Sequence, residues 1–290
     1  MARIIVPEAE ALLDQEFQVL DKGFVRLVDY LGGDQRIVQA ARVSYGAGTK
    51  SVRQDRGLIH YLMKNEHTSP FEQVVLTFHT KMPIFVARQW VRHRTARLNE
   101  ISGRYSIMKD EFYVPDPSTM RTQSTDNKQA RSEECLSPDS AHAMIEEMRA
   151  DQAKIYAHYE GMIEGGLARE IARNNLPLSL YTEWYWQIDL HNLFRFLTLR
   201  LDSHAQYEIR VYAEALAKCA KAVAPLAYEA WEEHILGGVR FSKSECVALT
   251  SMLQGGPHNL DEKAAAQLQQ KIEHMKRAVP AEAGEDPVPI

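Results

Sequence analysis

The sequence predicts an α+β protein, on three observations. Short β-rich runs and helical stretches are mixed without the regular strand–helix–strand rhythm of a doubly wound parallel sheet. Residues 178–188 alternate strictly, with Leu178, Leu180, Thr182, Trp184, Trp186 and Ile188 sharing one face, as a half-buried strand requires. Neither G-x-G-x-x-G nor G-x-x-x-x-G-K-[ST] occurs, so a Rossmann or P-loop nucleotide site is not indicated. The expectation is one compact domain over residues 1–235, its mixed or antiparallel sheet flanked by helices. Residues 236–290 would form a peripheral C-terminal extension.

The elements follow in order. Residues 24–31 are β-branched and aromatic and end at Gly32-Gly33, a strand followed by a turn. Asp34 is placed to cap a helix through Ile37, Ala40, Ala41 and Val43. A second helix is expected over 55–64, with Leu58, Ile59, Leu62 and Met63 on one face. His67-Thr68-Ser69-Pro70 breaks it, and 74–80 reads as a strand. Pro83 suits the first position of a helix running on through an arginine-rich stretch. Residues 114–140 read as a polar loop. Helical period returns over 141–164, with Ile145, Met148, Ile155, Tyr159 and Met162 as its stripe and Gly165-Gly166 as its end. After the strand at 178–188, a helix starts near Asn192. It continues or restarts near Asp202 and runs to about Ala222. The tail after Gly255 is rich in Ala, Glu, Lys and Pro, and no internal repeat is present.

The bulk properties narrow the class of partner. A chain of 290 residues with 45% hydrophobic and 25% charged residues can bury a packed core. Its net charge of −5 gives no global basic field, which counts against nucleic acid as the main partner. Cys135, Cys219 and Cys246 are odd in number and lack C-x-x-C spacing, which argues against a disulfide framework or a cysteine-built metal site. No H-E-x-x-H pair occurs, so no zinc-hydrolase site is expected either. The first residues reach a proline and acids before any signal-type apolar stretch forms, and no run is long enough to span a bilayer. A cytoplasmic protein without membrane contact is expected.

Against that acidic background, Arg88, Arg92, Arg94, Arg97 and Arg104 crowd with His93 around the single acid Glu100. Packed like charges repel unless an anion neutralises them, and arginine's planar fork suits phosphate. On a helix from Pro83, Gln89, Arg92 and His93 would share one face, with Ile84, Ala87 and Val91 on another. Asn99 to Arg104 has loop chemistry, in which Gly103 permits close backbone approach and Asn99, Ser102 and Arg104 supply donors. The plain alternative is a solvated basic helix with surface ion pairs. Further along, Leu193, Phe196 and Leu197 make an apolar stripe whose next members are Arg200 and His204, whereas Arg195, Thr198 and Asp202 face the other way. An arginine on a core-facing stripe is costly unless paired, and a salt bridge to Glu208 is the bland reading. His204 by itself is more often a satisfied core histidine than a ligand. Arg173 is a third candidate anion contact.

Arg92-His93-Arg94-x-x-Arg97-x-Asn99-x-x-Ser102-x-Arg104 resembles the R-H-R-x-x-S-x-N-x-x-S-x-R signature of the flavin-dependent thymidylate synthases. Six of its seven fixed positions match, and Arg97 stands in place of the first serine. The likeness continues through residues 39–45, 67–72, 83–90, 176–181 and 199–208, in the family's order, and covers roughly 20–235. It implies conversion of dUMP to dTMP, with methylenetetrahydrofolate supplying the carbon and FAD, reduced by NADPH, supplying the hydride. It also implies a homotetramer with each active site shared between subunits. Carried over by position, the dUMP contacts would be Gln89, Arg92, Glu100, Ser102, Gly103, Arg104, Arg173 and Arg200. The FAD contacts would be Ser69, Arg92, His93, Arg94, Glu100, Asp189, Leu190, His191 and Arg195. No metal is implied.

The chemistry asks that electron density be pushed into uracil so that C5 becomes nucleophilic. No cysteine sits beside the arginine cluster, so addition of a thiolate at C6 is disfavoured. Arg200 suits the other route, stabilising charge on the ring's N3–O4 edge and so its ionisation. Arg173 and Arg104 would hold the phosphate. Ser102 has no evident base and is assigned to substrate hydrogen bonding. Two rivals stand beside this reading: a flavoprotein reductase acting on another pyrimidine, and a nucleic-acid binding module reading phosphates with residues 88–104.

Overall fold

A computed structural model of the chain describes residues 3–43, 52–125 and 131–278. Part of the 39–45 block of resemblance, the middle of the expected polar loop and the end of the tail lie outside the described residues. In chain order the elements are α1 (Pro7–Glu10), β1 (Glu16–Val19), β2 (Gly23–Leu31), α2 (Asp34–Arg42), α3 (Val52–Lys64), β3 (Val75–Pro83), α4 (Ile84–Trp90) and β4 (Ala96–Glu100). They continue with β5 (Arg121–Gln123), β6 (Arg131–Cys135), α5 (Pro138–Glu164), α6 (Arg169–Ala172), β7 (Tyr181–Asp189), α7 (Leu190–Arg200), α8 (Tyr207–Val223), α9 (Pro225–Trp231), α10 (Lys243–Leu253) and α11 (Glu262–Ala278).

The sheet order is β1-β2-β3-β7-β4, and every neighbouring pair is antiparallel, which bears out the α+β expectation. The alternation read in 178–188 holds within β7, where Thr182, Trp184, Trp186 and Ile188 are buried and Tyr185 is exposed; Leu178, expected on the same face, lies before the strand and is exposed. On the buried face, Trp90 of α4 packs edge-on against Trp184 and Trp186, with ring centroids at 5.6 and 5.2 Å, and leans on Phe196 of α7 and Tyr212 of α8. Each such aromatic pair adds about 0.5–1.5 kcal/mol beyond the area it buries, so this cluster anchors α4, α7 and α8 to the central strands. A smaller cluster of Met108, Phe112, Tyr156, Tyr159 and Leu180 seats α5.

Several local expectations change. Asp34 does not cap its own helix: Gly33 holds that position, and the Asp34 carboxylate accepts from the backbone N–H groups of Leu226 and Ala227 at 2.9 and 3.0 Å, at the start of α9. Burial pushes Asp34 up to about 6. Within the expected 114–140 loop, β5 and β6 pair as a hairpin, and α5 begins at Pro138, capped by Ser137. α7 ends at Arg200 and the chain restarts at Tyr207, so His204 falls between helices and is exposed rather than on a core stripe.

The chain divides into two units, 1–229 and 230–290. In the second, α10 carries a capping box between Ser242 and Glu245, and Lys271 of α11 donates to both Glu245 oxygens at 2.8 and 2.7 Å. Among the described residues, no helix is long and apolar enough to cross a membrane.

Candidate active site

The helix from Pro83 does not run through the arginine cluster. It ends at Trp90, with Val91 as its cap, and residues 96–100 join the sheet as an edge strand. A continued helix would leave the outer edge of β7 unpaired, and the ladder to β4 satisfies those backbone groups instead. Gln89, Arg92 and His93 therefore share no helical face, and Asn99 and Glu100 are strand residues rather than loop.

The expected site residues fall into three groups. The first lies where α4 ends and α7 ends. Arg200, the last residue of α7, is half-buried; its Nε donates to His93 Nε2 at 3.1 Å and its Nη2 to the Gln89 carbonyl at 3.3 Å. Neither partner is a carboxylate. Glu208, the rival partner, is occupied elsewhere: it accepts from Arg131, from the Tyr113 hydroxyl at 3.1 Å and from Gln206 Nε2 at 2.8 Å. Burial lowers the Arg200 pKa, yet a guanidinium stays charged in proteins. His93 is pushed down to about 4, first by burial and then by Arg200 and Arg195, so it is neutral at pH 7 and free to accept.

The second group lies where β4 leaves the sheet. Glu100 Oε1 accepts from the Thr182 hydroxyl at 2.5 Å, and the Ser102 hydroxyl accepts from the Arg104 backbone N–H at 3.2 Å. A Cβ on Gly103 would meet Met108 Sδ at 3.0 Å and Arg173 Cδ at 3.1 Å, so glycine lets Arg173 lie against this backbone without a shift of either side chain. Arg104 pairs with Glu170 at 3.1 Å; both are exposed, so the pair is weak and exchangeable for a phosphate.

The third group lies at the far end of β7. Asp189 caps α7, accepting from the Asn192 backbone N–H at 2.9 Å. Leu190 is fully buried, so its side chain is core, and its N–H donates to the Val74 carbonyl at 2.8 Å. His191 is half-buried beside it. Ser69 is exposed on the edge of a cavity of about 400 Å³ lined in part by Arg36, Gln39 and Gln73. Thr182, which holds Glu100, and Asp189 stand about 24 Å apart along β7. Among the described residues, no hydrogen bond or ion pair joins one group to another.

The side chains of Arg88, Arg92, Arg94, Arg97 and Arg195 are exposed and make no hydrogen bond or ion pair to another described residue. The plain alternative survives in part: these side chains are solvated, but the helix it assumed ends at Trp90 and, among the described residues, they form no surface ion pairs. Arg131, Gln206 and Glu208 join the first group without having been assigned to the site. Gln206 and Glu208 lie in the 199–208 block, but Arg131 is 77 positions from Glu208, and nothing local in the sequence marks that contact.

Fold and site together define an antiparallel-sheet α+β protein that carries exposed arginines without acidic side-chain partners alongside a half-buried one, chemistry suited to an anionic ligand. The model of the family described as "Thymidylate synthase complementing protein" matches residues 26–226, and that of the thymidylate synthase ThyX C-terminal domain matches 239–278. Flavin-dependent thymidylate synthases from Treponema denticola (58% identical, covering 90% of this chain and 98% of the relative) and Treponema pallidum (55%, covering 94% and 89%) are among its relatives. The UMP/dUMP methylase PolB from Streptomyces cacaoi, solved with 5-Br dUMP, superposes with a TM-score of 0.68 at 32% identity over 74% of this chain and 97% of that one. The chain belongs to the flavin-dependent thymidylate synthase family, enzymes that use FAD with NADPH and methylenetetrahydrofolate.

Proposed function

We propose that this chain methylates dUMP reductively to dTMP, with Arg200 carrying the negative charge that develops on the ring's N3–O4 edge and with no residue acting as a nucleophile. The observation that carries this reading is a half-buried guanidinium bonded to a neutral imidazole and a backbone carbonyl rather than to a carboxylate. Such a charge is preorganised and remains available to a ring that becomes anionic. The chain's own nucleophiles support the second half. Cys135 and Cys246 are exposed outside the three groups, burial pushes the Cys219 thiol up to about 12, and no base is among the partners of Ser102.

Arg104 and Arg173, with Ser102 and the Gly103 backbone, hold the nucleotide phosphate; Gln89, Arg92 and Glu100 orient the remainder. The unneutralised Arg92, Arg94 and Arg195 fit the pyrophosphate of FAD, and His93, Glu100, Ser69 and residues 189–191 complete its contacts. Bound FAD supplies the hydride, taken from NADPH. His93, kept neutral, holds Arg200 in place without competing for its charge.

The separation of the three groups within one chain supports a homotetramer whose active sites are shared between subunits. The exposed apolar side chains around the second group, Leu98, Ile101, Tyr105 and Ile107, supply surface for it. Residues 1–235 form the catalytic domain and 236–290 its extension. Three unpaired cysteines suit a reducing cytoplasm.

The test is tritium release from C5-labelled dUMP. Release that requires both methylenetetrahydrofolate and NADPH supports the synthase. A yellow protein bleached by NADPH that releases none is a reductase acting on another pyrimidine.

A further inference from the structure

We propose that Glu208 is a positioning residue that sets which end of the Gln89 amide faces the substrate, so that the site demands a hydrogen-bond donor at N3 of the pyrimidine. The inference deepens the functional reading and rests on its placement of dUMP beside Gln89 and Arg200.

A carboxylate can only accept hydrogen bonds. Glu208 is 2% exposed, and its Oε1 is taken by Arg131 and the Tyr113 hydroxyl. Its Oε2 takes Gln206 Nε2 at 2.8 Å. Gln206 must therefore turn its nitrogen toward Glu208 and its oxygen away. That oxygen accepts from Gln89 Nε2 at 2.5 Å, which pins the Gln89 nitrogen inward. Gln89 Oε1 remains, with no partner among the described residues. An amide can usually be turned end for end at little cost in shape. Here the orientation of two successive amides follows from a charge two links from the substrate.

Arg200 donates to the Gln89 backbone carbonyl at 3.3 Å, so the Gln89 side chain, an acceptor, and the Arg200 guanidinium, a donor, belong to contacting residues. Uracil carries N3–H next to the O4 oxygen and matches that pair in the resting complex. Cytosine carries a bare N3 next to an amino group and matches neither. In the resting complex the Gln89 oxygen reads the N3 proton, and Arg200, at the position-4 oxygen, carries the charge as it develops. The part of the preference read at N3 therefore depends on Glu208, although Glu208 touches no part of the nucleotide.

Glu208→Gln isolates this role while keeping the shape. Arg131 and Tyr113 still require an acceptor, so the new amide nitrogen falls toward Gln206. Gln206 then turns, Gln89 turns in response, and a donor faces N3. Gln206→Met removes the relay and leaves the Glu208–Arg131 pair intact, which keeps the test decisive should Glu208→Gln fail to fold. Dissociation constants of dUMP and dCMP are measured by calorimetry on the FAD-loaded full chain and on both variants. The dCMP-to-dUMP ratio is expected to fall about tenfold in Glu208→Gln, the worth of one hydrogen bond, and to fall in the same direction in Gln206→Met. A loss of packing alone would weaken both nucleotides together and leave the ratio unmoved. A wild type that prefers dUMP, with the same ratio in every folded variant, overturns the role of Glu208. A wild type that binds no dUMP overturns the functional reading beneath it.

Discussion

Replacing Arg200 with alanine should separate catalysis from stability. The substitution removes two hydrogen bonds in which the donor is charged, each worth about 1.5–3 kcal/mol in net stability. It also removes a half-buried cation that has no carboxylate partner, and the relief of that desolvation opposes the loss. The two effects oppose each other, and at roughly 2–4 °C per kcal/mol the melting temperature should fall by less than about 10 °C. Turnover has no such compensation. Loss of one preorganised stabilising charge costs about 10²–10³ in rate or more. The assay pairs tritium release from C5-labelled dUMP with thermal unfolding of the same preparation. Turnover within tenfold of wild type would refute the charge-stabilising role. A drop of more than about 10 °C would show that Arg200 is mainly structural.

Other consequences follow from named contacts. His93 sits at about 4 in the folded chain but near 6.5 when unfolded, so as pH falls the unfolded chain takes up its proton first. Its contribution to stability is constant above pH 6.5 and is lost between 6.5 and 4; the full shift corresponds to about 3 kcal/mol, reduced to roughly 1–2 by its partial exposure. Asp34, raised to about 6, works in the opposite sense over the same range, so the measurement is the difference in denaturant midpoints between wild type and His93→Gln, both of which retain Asp34. That difference should change below pH 6.5 and stay constant above it. Gly103→Ala sets a methyl 3.1 Å from Arg173 Cδ and 3.0 Å from Met108 Sδ. Both neighbours are flexible, so stability should fall by only about 1 kcal/mol while the KM for dUMP rises about tenfold, and an unchanged KM would remove Arg173 from the substrate site. Ser102→Ala should keep turnover within about tenfold, because its hydroxyl caps a turn and has no base; complete inactivity with normal dUMP binding would make it a nucleophile.

What the sequence made legible was local and periodic. The strict alternation of 178–188 identified the central strand and its buried tryptophans because side chains on a strand repeat every second residue. The position of Arg200 after Leu193, Phe196 and Leu197 marked it as core-facing for the same kind of reason, and the structure leaves it half-buried. Legibility failed where a distant partner decided the outcome. Val91 to Glu100 has enough helical character to extend α4, but the open edge of β7 takes Ala96–Glu100 as a strand and the residues before it turn. Asp34 has the chemistry of an N-cap, yet it caps α9, nearly two hundred residues away. The polar run after Val114 gave no sign of a hairpin, and still less that Arg131 at its end would neutralise Glu208 and leave Arg200 free of it. The signature residues were recognisable one by one, but their division into three separate groups is a property of strand register.

The most direct measurement of the central claim is a crystal structure of the FAD-loaded chain with dUMP. The account predicts the Arg200 guanidinium within about 2.7–3.2 Å of the uracil N3–O4 edge and still without a carboxylate partner. A guanidinium turned onto a protein carboxylate, with the nucleobase bound elsewhere, would contradict it.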